Sequence, residues 1–278
     1  MLEAKRQPFY KRIPWNGVVI VAVGVLLLTW LYLTPPGLLG KADAVGYSVC
    51  HRIDLRSFHI GGRQFPMCAR CSGQFLGALL ALGYQAVVGR RRMGRPGGAV
   101  IAILVGMFLA YAIDGLNSYL HLAPMMKAFP NLPRLYEPSN TLRLLTGTGV
   151  GLLIGAALYP AYNSTVWRNP DPRPALGNLV SFGGLVVLAL GLDGILLLEI
   201  PWILVPMAIL SALATLTLLG LVYTIVVLML VHQENQAERV NQLALPLFSG
   251  LGIALLQIAV IDLLRYLLTG TWDGFFLG

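Results

Sequence analysis

Residues 177–198 read GNLVSFGGLVVLALGLDGILLL, and after the short link Glu199–Pro201, residues 202–231 read WILVPMAILSALATLTLLGLVYTIVVLMLV. An α-helix needs about 20 mostly apolar residues to cross the hydrocarbon core of a bilayer. Each run meets that length, and the link is too short for anything but a tight reversal. This stretch therefore predicts a transmembrane helical hairpin.

Five further apolar runs extend the pattern to the whole chain. They cover about residues 17–35, 72–89, 97–117, 142–162 and 243–268. The composition agrees, because 56% of the residues are hydrophobic and only 12% are charged, whereas soluble domains carry roughly 25% charged residues. We expect an all-α, polytopic transmembrane bundle of about seven spans, forming a single integral membrane domain over residues 1–278.

The first span has two features of a secretory signal peptide. A basic arm precedes it, and Ala42–Asp43–Ala44 is similar to a cleavage site. Its apolar stretch, however, is longer than the roughly 7–15 residues of a signal h-region. We therefore expect a retained helix.

The distribution of Lys and Arg predicts the orientation. With the N-terminus inside, the inner segments hold 11 of the 20 basic residues: Lys5, Arg6, Lys11, Arg12, Arg90, Arg91, Arg92, Arg95, Arg168, Arg173 and Arg239. Compact basic blocks flank the first two spans, where charge most influences topology. We expect a protein of the cytoplasmic membrane with its N-terminus inside and the loop after the first span outside. The net charge of +8 then belongs to loops, and no nucleic-acid partner is expected.

Glycines at four-residue spacing lie on two of the predicted spans. Gly73 and Gly77 are on the second, and Gly147, Gly151 and Gly155 are on the fourth. Small residues at this spacing let helix backbones approach closely. The pattern predicts tight packing, either within the chain or between copies in a homo-oligomer or larger membrane complex.

The chemistry is concentrated in residues 50–77, CHRIDLRSFHIGGRQFPMCARCSGQFLG, which contain all 3 cysteines of the chain. Cys68 and Cys71 form a C-x-x-C directly before the second span. We expect this pair at a helix N-terminus on the membrane rim, where the helix dipole and free amides lower the pKa of a thiol. Arg70, between the two cysteines, acts in the same direction.

One hypothesis for this segment is a metal site. The candidate ligands are Cys50, His51, Cys68 and Cys71. They form a Cys₃His set, a common tetrahedral combination for zinc or another transition metal. The Cys50–His51 pair must then fold back, and Gly61–Gly62 is a suitable turn. Because adjacent residues rarely bind one ion together, His59 could replace His51.

Two alternatives to the metal site remain. Cys68 and Cys71 could act as a dithiol–disulfide pair, with Cys50 as a resolving thiol. All three cysteines could instead be small buried residues of a re-entrant loop.

Charged residues near this segment are candidates for substrate contact. Arg56, Arg63 and Arg143 suit bidentate binding of phosphate or carboxylate, and lipid phosphate is the nearest anion at a membrane rim. The alternative is ordinary head-group anchoring. Asp114 is expected on the same membrane face, as a general base, a further metal ligand or a partner of a ligating imidazole. Its alternative is an ion pair with Arg143.

Two more acidic residues lie inside predicted spans. Asp193 and Asp262 are expected near the same face as paired structural carboxylates, with Asp262 three residues before Arg265 on one helix.

The motif C-H-x4-R-S-F-x3-G-x3-P-x-C-x-R-C-x-G-x3-G, at residues 50–77, is similar to that of a family of prokaryotic membrane proteins, domain of unknown function 2085. The resemblance covers roughly residues 45–155, including Asp114–Gly115. It implies a family-like core with spans two to four, followed by a three-span region at 176–270. The family carries no assigned activity, so the resemblance supports a site without naming its reaction.

Three functions are compatible with these patterns. The first is a zinc site at the extracytoplasmic membrane rim that handles an anionic, lipid-like substrate, with membrane lipids as partners. The second is a membrane thiol–disulfide oxidoreductase that uses the C-x-x-C. The third is a non-catalytic membrane subunit or a transporter component.

Other cofactors are not expected. The sequence has no Walker loop or dinucleotide fingerprint. Ser72 stands where covalently attached haem would need a histidine after the C-x-x-C.

Overall fold

The computed structural model describes residues 15–274. Seven long α-helices dominate this part of the chain. They are α1 (Trp15–Leu33), α3 (Ala69–Val88), α4 (Gly98–Leu120), α6 (Asn140–Val166), α7 (Leu179–Leu197), α8 (Pro201–Leu230) and α9 (Ala244–Thr269). By length and composition, 7 helices among the described residues could cross a membrane. The predicted all-α, seven-span bundle is confirmed. The basic arm predicted to hold the N-terminus inside lies outside the described residues.

The segment after α1 contains elements that the apolar pattern did not predict. A short helix, α2 (Gly37–Val49), is followed by a 3-10 turn at Asp54–Arg56 and an antiparallel hairpin of β1 (Ser57–Ile60) and β2 (Arg63–Cys68). Gly61 and Gly62 join the two strands with φ angles of 56° and 87°. Glycine adopts positive φ without a steric cost, so the turn expected at these residues is the one that forms.

The remaining elements are short. Helix α5 (Ala123–Ala128) lies between α4 and α6, and a 3-10 turn at Val240–Leu243 precedes α9. Strand β3 (Arg92–Gly94) pairs in parallel with β4 (Asp171–Pro174).

Successive spans alternate in direction, which gives the bundle two faces. The cysteine face carries residues 34–68, 121–139, 198–200 and 270–274. The opposite face carries residues 89–97, 167–178 and 231–243, including the β3–β4 pair. Every residue predicted for the site therefore lies in a loop of the cysteine face or in a helix end that reaches it.

Helices α3 and α6 make the closest helix contact of the site region. A Cβ atom added to Gly73 would clash with the carbonyl oxygen of Leu144, and one added to Gly151 would clash with that of Gln74. Only glycine permits backbones this close. The spaced glycines are thus used between two helices of one chain, and association between copies stays a prediction.

The last three spans pack directly against the rest of the bundle. Leu196, Leu204 and Ala208 share one buried apolar cluster with Phe58 and Phe65 of the hairpin. Residues 176–270 therefore help to hold the hairpin that carries Cys68.

Candidate functional site

Three cysteine sulfurs converge on the cysteine face. Cys50 follows the C-terminal end of α2, Cys68 ends β2 and precedes α3, and Cys71 lies in the first turn of α3. The three Sγ atoms lie within 4.8 Å of one another, and all three cysteines are free. The expected position of the C-x-x-C at a helix N-terminus is confirmed. The hairpin turn and the end of α2 bring Cys50 to it.

The electrostatics of the cluster follow from the short separation of its sulfurs. The backbone N–H groups of Arg52 and Cys68 each donate to the Cys50 sulfur at 3.3 Å. A hydrogen bond with the Cys68 sulfur raises the pKa of the Cys50 thiol to about 12. The same contact with Cys50 lowers the pKa of Cys68 well below its usual value. One thiolate shared among protonated neighbours is the state that this geometry favours, because three adjacent anions repel one another without a cation.

The end of α2 that carries Cys50 is fixed by a residue of the last span. Arg265 on α9 donates to the carbonyl oxygens of Cys50, at 2.7 Å, and of Tyr47. Its guanidinium also stacks 3.9 Å from the centroid of the Tyr47 ring. A cation at a helix C-terminus stabilises the free carbonyls there, so Arg265 positions Cys50 from a helix far away in sequence.

A group of two ion pairs connects α2 to the hairpin. The buried carboxylate of Asp43 pairs with Arg52, at 3.1 Å, and with Arg63. Asp43 was noticed in the sequence only as part of a cleavage-like tripeptide, and nothing in its spacing from Arg63 indicated this contact. Arg63 therefore braces α2 and is not grouped with the other two predicted substrate arginines.

The histidines lie outside the sulfur cluster. His51 is exposed, and the ligand atoms that lie within 4.8 Å of one another come from the three cysteines alone in the described part of the chain. His59 pairs with Asp54 at 2.9 Å on the hairpin. The structure thus groups three of the four predicted ligands, and the role of His51 stays a prediction.

Three arginines cluster beside the cysteines. Arg56 donates to the carbonyl oxygen of Ser118 at 2.8 Å, Arg70 donates to the Ser118 hydroxyl at 3.0 Å, and Arg143 donates to Asn140 at 2.9 Å. Burial, followed by the charge of Arg70, lowers the pKa of Arg56. Arg143 interacts electrostatically with both of the other arginines and with Cys68. The sequence predicted Arg56 and Arg143 as substrate residues, and it predicted for Arg70, between the two cysteines, an effect on the thiol pKa.

Asp114 is the counter-ion of this arginine cluster. Its buried carboxylate pairs with Arg70 and accepts hydrogen bonds from Tyr136 at 3.0 Å and Thr146 at 3.3 Å. The partner is therefore Arg70, where the sequence suggested Arg143. Asp114 is not among the grouped metal-ligand atoms, and its use as a general base stays a prediction.

The two other membrane-embedded carboxylates are also buried. Asp193 accepts a hydrogen bond from Thr148 at 2.6 Å, and Asp262 accepts one from the indole of Trp30 at 3.0 Å. Neither carboxylate is among the grouped ligand atoms of the described residues, and their partners differ, because Asp193 on α7 contacts α6 whereas Asp262 on α9 contacts α1.

Comparisons with known proteins agree with the resemblance of the motif. Residues 50–158 match the family model described as "Predicted membrane protein (DUF2085)". A curated protein of Methanothermobacter thermautotrophicus (strain Delta H), described as "Uncharacterized protein", is 29% identical over 108 residues. That alignment covers 38% of this chain and 82% of the archaeal protein. No solved structure matches. The matched segment contains the three cysteines and the arginine cluster, whereas Arg265 lies beyond it.

Proposed function

We propose that Cys50, Cys68 and Cys71 bind a transition metal, with zinc the best fit to a set of three thiolates. The observation that carries the proposal is the convergence of three free sulfurs, from three separate elements, within 4.8 Å. Structural zinc sites use four protein ligands, whereas catalytic sites use three and leave one position for water or substrate. Three grouped cysteines favour the second arrangement.

The experiment is elemental analysis of detergent-purified protein prepared without chelator. We expect about one zinc per wild-type chain and none in a Cys68→Ser/Cys71→Ser variant. His51→Ala and His59→Ala are the matched controls, and both should retain the metal if the fourth position is open. Loss of zinc in His51→Ala but not in His59→Ala would show that His51 is a fourth ligand. A metal-free wild type would rule out the metal function.

We further propose that the arginine cluster beside the cysteines binds an anionic lipid head group. Among the described residues of this cluster, three guanidiniums meet the Asp114 carboxylate and the thiolate favoured at the cysteines, so one positive charge is in excess. The Nε atoms of Arg70 and Arg143 are buried without a hydrogen-bond partner. Guanidinium groups bind phosphate bidentately, and a phosphate would supply both the charge and the acceptors.

Lipid exchange tests the anion site. Purified protein is exchanged into micelles that contain phosphatidic acid or phosphatidylcholine, and bound lipid is measured by native mass spectrometry. Arg143→Gln should retain less phosphatidic acid than wild type, whereas Arg173→Gln, on the opposite face, should not differ from it. Equal retention of the two lipids by wild type would contradict an anion site.

A thiol–disulfide oxidoreductase is the second candidate. The lowered pKa of Cys68 favours it, because thiolate is the attacking species in disulfide exchange. Oxidation of Cys68 and Cys71 would form one S–S bond and reduce one disulfide of an acceptor protein to two thiols. A redox-dependent change in the number of alkylated cysteines, in protein free of metal, would favour this function over the metal centre.

The proposed orientation places the cysteine face outside the cytoplasmic membrane. It is supported by the basic residues of the opposite face, among which Arg90, Arg91, Arg92 and Arg95 follow the second span. Outside the cytoplasm, an oxidising compartment would favour disulfide formation, which suits the oxidoreductase.

A further inference from the structure

A cavity of about 540 Å³ lies between α1 and α9, near the cysteine face. Its volume falls in the range of small-molecule sites, roughly 300–1,000 Å³. Leu33 and Leu263 line the cavity, and both are exposed side chains of helices long and apolar enough to span the membrane. The cavity is therefore reached sideways from the bilayer.

One buried carboxylate interrupts the apolar wall of this cavity. Asp262 is 2% exposed and lies in the wall beside Trp30. Its Oδ2 accepts the indole N–H of Trp30, whereas its Oδ1 is buried without a hydrogen-bond partner in the described part of the chain. A buried acceptor left unpaired costs free energy, and a rotation of the Asp262 side chain toward the cavity would let a bound donor pair with it.

The charge balance limits what that donor can be. Arg265, three residues further along α9, already acts electrostatically on the Asp262 carboxylate. A second cation would be repelled by this arginine, and burying a charged head group in an apolar cavity is costly. A neutral head group with one O–H donor avoids both the repulsion by Arg265 and the burial of a charge.

The rim of the cavity fits an amphiphile that lies at the membrane interface. Tyr266 and Trp272 line the end nearest the cysteine face, while Leu26 and Ala259 line the deeper end. Aromatic side chains of this kind are enriched at membrane–water interfaces. A long chain would extend from Asp262 toward Leu26, away from the rim.

We propose that this cavity binds a lipid alcohol, a long-chain molecule with a hydroxyl head group that donates to the Asp262 carboxylate. The site is independent of the metal centre, although Trp30, Ala259 and Trp272 share one apolar cluster with the three cysteines.

Photocrosslinking in phosphatidylcholine nanodiscs tests the proposal. The probes are hexadecanol with a mid-chain diazirine and its methyl ether, which has the same chain but no donor. In wild type, the alcohol should label residues 26–34 and 259–266, and excess hexadecanol should compete with it. The ether should label these residues about fivefold less, the effect of losing one hydrogen bond.

The matched variants are Asp262→Leu and Asp193→Leu. The first should abolish the preference for the alcohol, and the second, which removes a buried carboxylate that does not line this cavity, should keep it. Equal labelling by alcohol and ether in wild type, or labelling spread evenly over all lipid-facing helices, would show annular lipid only and overturn the proposal. This comparison of two probes needs no variant, so it holds even if Asp262→Leu fails to fold.

Discussion

Arg265 donates a hydrogen bond of 2.7 Å to the backbone carbonyl of Cys50, across 215 positions of sequence. The contact joins the last span, which lies outside the segment matched by the family model, to the first cysteine of the family motif. The three-span region therefore completes the support of the cysteine cluster.

The first prediction concerns this positioning contact. Arg265→Leu should weaken zinc binding by about tenfold, a typical effect of removing a group that orients a ligand. Arg265→Lys should recover part of the loss because a cation remains at the end of α2. A competition titration with a chromophoric zinc chelator measures both.

Arg134→Leu is the matched control for that titration. Arg134 also donates to backbone carbonyls, including that of Leu120 at 3.2 Å, but away from the cysteines. Zinc affinity equal in Arg265→Leu and wild type would show that Arg265 does not position Cys50.

The second prediction concerns the pair of Arg70 and Asp114. The two side chains are 17% and 1% exposed, so Arg70→Leu leaves a buried carboxylate without its ion-pair partner. We expect a loss of about 3 kcal/mol or more in the free energy of unfolding. The double variant Arg70→Leu/Asp114→Leu should regain part of it, because neither charge then remains.

Unfolding in mixed detergent and SDS micelles measures this cycle. The control is Arg168→Leu, which breaks an exposed pair with Glu238 on the opposite face and should cost at most about 1 kcal/mol. If the double variant lost the sum of the two single losses in the free energy of unfolding, Arg70 and Asp114 would not stabilise each other.

The third prediction concerns the contact of α3 with α6. Gly151→Ala would place a methyl group against the Gln74 carbonyl oxygen, and such overpacking should cost about 1–3 kcal/mol. Gly83→Ala, on α3 with open space around the new Cβ, should be neutral or slightly stabilising because alanine favours helix. The same SDS titration measures the free energy of unfolding of both variants. Equal values for the two would show that α3 and α6 move apart without cost to accept the methyl group.

The sequence predicted the spans well because a helix that crosses a bilayer needs about 20 mostly apolar residues. A few polar residues within such a run do not obscure this pattern. All seven predicted spans agree with the observed helices to within four residues at each end. Gly61–Gly62 was predictable for a related reason, since positive φ is a local requirement that selects glycine.

The arrangement of the site was less predictable, because it depends on tertiary contacts between distant positions. Asp43 reaches Arg63, and Asp114 reaches Arg70 rather than Arg143. No periodicity specifies such pairs. Helix α2 was missed because Gly37–Val49 is short and its mixture of apolar and polar residues has no membrane-spanning pattern.

The last prediction concerns orientation. Leu55 lies on the cysteine face and is 74% exposed, and Gln236 is exposed on the opposite face. With the N-terminus inside, a membrane-impermeant maleimide should label Leu55→Cys in intact spheroplasts, and Gln236→Cys only after permeabilisation. Wild type, with its three native cysteines, supplies the background to subtract. The reverse pattern would place the cysteines in the reducing cytosol, where a stable disulfide is disfavoured. The oxidoreductase would then be less favoured, although the lowered pKa of Cys68 would still support it, while a zinc site would remain compatible with the geometry.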